Sequence, residues 1–96
     1  AIAYDNLAHA FRAPGALDQA TDYYRKALAI DEALGRQEGM ANQYGNLGSV
    51  YQTRGDLDRA VGYYEESLAL FQQLGAKDRV TRVQSLINKI VQKDFP

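Results

Sequence analysis

Apolar residues recur along the chain at three- and four-residue spacing, and short polar or glycine-containing breaks divide them into segments. Tyr4, Leu7, Ala8 and Phe11 share one face of a helix predicted over 2–13. Pro14-Gly15 predicts its stop, because proline cannot continue the hydrogen-bond ladder and glycine tolerates a turn. Leu17, Ala20, Tyr24, Ala27, Leu28 and Leu34 predict a second helix over 17–34, with Gly35 as its C-terminal stop. Tyr44, Leu47, Gly48 and Tyr51 mark a third helix stopping at Gly55. A fourth runs from Leu57 to Leu74, with its stop at Gly75. Val80, Val83, Ile87, Ile90 and Val91 stripe a last helix over 77–93.

The pattern repeats. At an offset of 40 residues Tyr4, Asn6, Leu7 and Gly15 meet Tyr44, Asn46, Leu47 and Gly55. Leu17, Asp18, Ala20, Tyr23 and Tyr24 likewise meet Leu57, Asp58, Ala60, Tyr63 and Tyr64. Each unit is a first-type helix followed by a second-type helix. One such pair cannot bury its apolar face alone, and stacking copies builds a continuous core. The expected organisation is one domain over 1–96: repeat one over 1–40, repeat two over 41–76, and a capping helix over 77–96. Glycine inside a helix costs about 1 kcal/mol against alanine, so Gly48 needs a packing reason. Close approach to Ala60 is the expectation. Tyr4, Tyr24, Tyr44, Tyr51 and Tyr64 are expected in the core.

Composition narrows the chemistry. The 96 residues are 46% hydrophobic and 24% charged, with a net charge of -1. A balance this even gives no electrostatic case for nucleic acid or an anionic membrane. No apolar run approaches the roughly 18 residues of a spanning helix. With no cysteine and one histidine, His9, a zinc site is not expected. No nucleophile stands with a paired base, so neither catalysis nor a cofactor is expected.

The run Tyr4-x2-Leu7-Ala8-x2-Phe11, then Ala20-x3-Tyr24-x2-Ala27, resembles a tetratricopeptide repeat. So does Tyr44-x2-Leu47-Gly48-x2-Tyr51, then Ala60-x3-Tyr64-x2-Ser67. The period of 40, against about 34 in the common form, and the Asn-Leu-Gly of the first-type helix are similar to the repeats of kinesin light chains and spindle-orienting adaptors. The resemblance implies an all-α right-handed superhelix of antiparallel helix pairs. Its first-type helices would line a concave groove that takes an extended or helical partner peptide.

The family register assigns groove positions to this chain. They include Asn6, His9, Asn42, Asn46, Ser49, Arg82, Lys89 and Lys93, together with Gln52 and Leu86. Asn6 and Asn46 carry both donors and acceptors and suit a peptide backbone. Arg82, Lys89 and Lys93 lie on one flank of the terminal helix, with Arg79 nearby, and suit an acidic partner. Asp18, Asp22, Arg25, Lys26, Glu65 and Glu66 are expected on the solvated outer face, with Asp22 and Lys26 spaced as an ion pair. The alternative is a self-assembling scaffold unit, joined through Ile2 at one end and Phe95-Pro96 at the other.

Overall fold

The computed structural model describes residues 14–94 as four helices in sequence: α1 (Pro14–Leu34), α2 (Gln37–Arg54), α3 (Leu57–Leu74) and α4 (Lys77–Asp94). The helix expected over 2–13, with Asn6 and His9, lies outside the described residues, as do Phe95 and Pro96.

The three junctions share one device. Gly35, Gly55 and Gly75 stand at φ 69°, 85° and 70°, in the left-handed region that a side chain disfavours. At each, the next backbone N–H reaches back into the last turn: Arg36 to the Asp31 carbonyl at 2.8 Å, Asp56 to Tyr51 at 2.9 Å, Ala76 to Phe71 at 3.0 Å. These bonds satisfy carbonyls that the helix end would otherwise leave bare. The glycine stops read from the sequence therefore hold at 35, 55 and 75. The start of α1 differs: it begins at Pro14, three residues before the predicted Leu17, while the helix over 2–13 whose stop is expected there lies outside the described residues. Proline is accommodated in a first turn, where its missing N–H has no intrahelical partner to lose. Helix α2 begins at Gln37. Asp56 caps α3 by accepting a hydrogen bond from the Arg59 N–H at 3.3 Å.

Consecutive helices pack antiparallel. Asp18 near the start of α1 pairs with Arg54 at the end of α2. Ser67, late in α3, donates to the carbonyl of Ala41, early in α2, at 2.8 Å. The core falls into two layers. Ala20, Tyr24, Leu47 and Val50 join α1 to α2. Ala41, Tyr51, Ala60, Tyr64, Phe71, Val83, Ile87 and Ile90 join α2, α3 and α4. Tyr63 packs against both layers. Its ring stacks on Tyr51 at 5.3 Å and 12°, and on Tyr44 at 6.3 Å and 29°. Tyr24, Tyr64 and Tyr51 are buried as expected. Tyr44 is half-buried instead, because its packing partner Tyr63 is itself only half-buried.

The reason for Gly48 differs from the expected one. A Cβ there would stand 2.7 Å from the ring of Tyr64, so it is that ring, in place of Ala60, that needs the missing side chain. Gly62, on the exposed side of α3, has nothing within 4 Å of the same position. The two glycines should therefore respond oppositely to alanine. Gly48→Ala must displace a buried ring and is expected to destabilise by about 1–3 kcal/mol. Gly62→Ala gains helix propensity and is expected to stabilise by roughly 0.5–1 kcal/mol. Urea midpoints measured in parallel check both signs.

Candidate functional site

One groove of about 740 Å³ runs across all four helices. Tyr23, Lys26, Ala27, Ile30 and Asp31 of α1 line one side, and Arg36 stands at the α1–α2 turn. Gly39, Asn42, Gln43, Gly45, Asn46 and Ser49 of α2 line it too. Arg79, Arg82, Val83 and Leu86 come from α4, and Tyr64, Ser67 and Phe71 of α3 complete the wall.

The polar groups of α2 are held in place by neighbours. The Tyr64 hydroxyl donates to Gln52 Oε1 at 2.8 Å, which uses its only proton. Ser49 Oγ, 3.1 Å away, is therefore the donor to Tyr64. Burial raises the Tyr64 pKa above the ordinary 10.0, with the Ser49 bond opposing the shift. Asn46 donates to Gln43 Oε1 at 3.3 Å, which leaves its second N–H and its carbonyl for a ligand. Asn42 accepts from Arg79 Nη1 at 3.3 Å. The Arg79 guanidinium also lies 5.8 Å from the Phe71 ring centre, within cation–π range.

Four residues expected in the groove from the sequence do line it: Asn42, Asn46, Ser49 and Arg82, with Leu86 beside them. Lys89 is exposed and does not line this groove. Lys93 falls in the last turn of α4. The structure adds Lys26, Ile30 and Arg36. Lys26 was expected on the outer face in an ion pair with Asp22; no such pair forms among the described residues. Arg25, expected on the solvated face, is exposed there and also donates to the Tyr51 hydroxyl at 2.8 Å and to that of Tyr63 at 3.5 Å. The Tyr51 bond is the main cause of its raised pKa. The α1 wall escapes sequence reasoning because it depends on how two repeats are inclined to each other. Helical periodicity reports only the faces within one repeat.

Comparison with known families agrees with this repeat geometry. Tetratricopeptide repeat models match residues 3–38 and 40–74. The chain belongs to the tetratricopeptide repeat family. No curated protein and no solved structure matched it. Repeats of this family generally mediate protein–protein interaction. Among the described residues no helix is long and apolar enough to cross a membrane.

The raised Tyr64 pKa makes a stability prediction. The folded value lies above the unfolded one, so the stability linked to neutral Tyr64 is intact below about pH 10. It is lost as pH rises from there through the folded value. Tyr64→Phe should lose about 1 kcal/mol at pH 7, with the bonds to Ser49 and Gln52 gone. It should also flatten the further loss as pH rises above about 10. Urea midpoints against pH for the two proteins check this.

Proposed function

We propose that the groove captures an extended segment of a partner protein. The observation that carries this reading is the row of amides and hydroxyls on α2. Asn42, Asn46 and Ser49 stand in one continuous groove beside exposed apolar surface, with Ile30 58% exposed. Amide side chains meet the N–H and C=O groups of an extended backbone, and apolar surface receives the partner's side chains. Fixed donors and acceptors lower the ordering cost of binding, and those on α2 are already held by Gln43, Tyr64 and Arg79. The pairing of α4 with α2 through Arg79 and Asn42 supports a capping role for α4 that also completes the groove.

The self-assembly alternative rests on Ile2 and Phe95-Pro96, which lie outside the described residues. A sedimentation mass independent of concentration is expected, and a mass that doubles with concentration would favour assembly.

The groove reading is tested by paired capture from the source lysate. Baits are the native chain, an Asn42→Ala/Asn46→Ala variant, and a Glu65→Ala variant altered on exposed α3 surface outside the groove. The expected result is a protein retained by the native and Glu65→Ala baits. The double-asparagine variant should lose it, with affinity down about tenfold or more. Equal retention by all three baits would remove the groove from the binding mechanism.

A further inference from the structure

The charge of the groove does not follow the charge of the chain. The whole chain carries -1. Four cations line the groove, Lys26, Arg36, Arg79 and Arg82, against one carboxylate, Asp31. That carboxylate is turned onto the first turn of α2, where a Cβ on Gly39 would lie 2.5 Å from its Oδ2. The positive end of the helix dipole already offsets it there. Arg79 is held by Asn42 and by the Phe71 ring, so its charged fork is oriented before any ligand arrives. Arg82 stands one turn later on the same side of α4, and Arg36 comes from the α1–α2 turn. Neither forms an ion pair with a carboxylate among the described residues.

Resting on the reading that the groove takes a partner segment, we infer that the segment is acidic. Its Asp or Glu carboxylates meet Arg79, Arg82 and Arg36, and an aliphatic or aromatic residue lies on Ile30 and Leu86. Guanidinium groups take carboxylates by paired, charge-assisted hydrogen bonds. Like charge at this end of the groove would exclude a basic segment, so the arginines select as well as bind. The cationic set differs from the flank of Arg82, Lys89 and Lys93 expected from the sequence. Arg82 and the nearby Arg79 are common to both, and the structure supplies Lys26 and Arg36 in place of the two lysines.

A library of random peptides displayed on phage and panned on the immobilised native chain tests this. The expected outcome is enrichment of Asp and Glu over the unselected library. Synthetic copies of the enriched peptides should bind about tenfold more weakly to Arg79→Ala and to Arg82→Ala. They should weaken as salt is raised. Lys77→Ala, which removes the same charge from an exposed site outside the groove, should leave their affinity unchanged. Enriched peptides of neutral or basic composition that still lose affinity to Asn46→Ala would overturn the acidic selection and leave the groove reading standing. If no enriched peptide responds to Asn46→Ala, Arg79→Ala or Arg82→Ala, both fail.

Discussion

The ring of Tyr64 lies in the space where residue 48 would carry a side chain. A Cβ at Gly48 would come within 2.7 Å of that ring, so α2 and α3 approach as closely as they do only because residue 48 is glycine. Helix propensity opposes this choice by about 1 kcal/mol, and the burial of Tyr64 to 1% exposure outweighs it. The position of the α2–α3 pair sets the rest. Phe71 and Ala60 join Tyr64 in the layer that receives Val83, Ile87 and Ile90 of α4.

The same ring couples the core to the groove. Its hydroxyl emerges between Ser49 and Gln52 and holds both. Phe71, buried in the same layer, presents its ring to Arg79, which in turn bonds Asn42. The polar side chains of the groove are therefore oriented by core residues behind them. A substitution at Tyr64 or Phe71 would disturb stability and groove geometry together.

Much of the fold was legible in the sequence because its determinants are local. Glycine at 35, 55 and 75 marks left-handed turns, and three- and four-residue spacing marks the faces of α2, α3 and α4. The first turn of α1 was misread because Pro14 can close one helix or open the next, and spacing alone does not decide between them. The groove was legible on α2, where the repeat register named Asn42, Asn46 and Ser49. It was not legible on α1. Lys26 and Ile30 face the groove only through the inclination of α1 against α2 and α4, and no periodicity within one helix carries that information. Nor did any pattern mark Gln43, a buried polar residue, since its role depends on Asn46 bonding to it.

Corresponding positions of α2 and α4 within this one chain show what the repeat keeps and what it changes. At the 40-residue offset, Leu47 and Val50 become Ile87 and Ile90, all buried and all aliphatic. Packing holds these positions to one kind of side chain. At the four positions where both copies line the groove they part: Gly39 becomes Arg79, Asn42 becomes Arg82, Gln43 becomes Val83, and Asn46 becomes Leu86. Packing positions change as well where the neighbouring surface differs: buried Ala41 becomes exposed Thr81, and buried Tyr51 becomes exposed Val91. Gly39 admits the Asp31 carboxylate on one side, and its counterpart Arg79 brings a cation to the other. The repeat thus places two helices in corresponding positions along the groove. The differences between them give the groove an amide-lined wall on α2 and a cationic, partly apolar wall on α4, an asymmetry that a ligand with distinct ends can match.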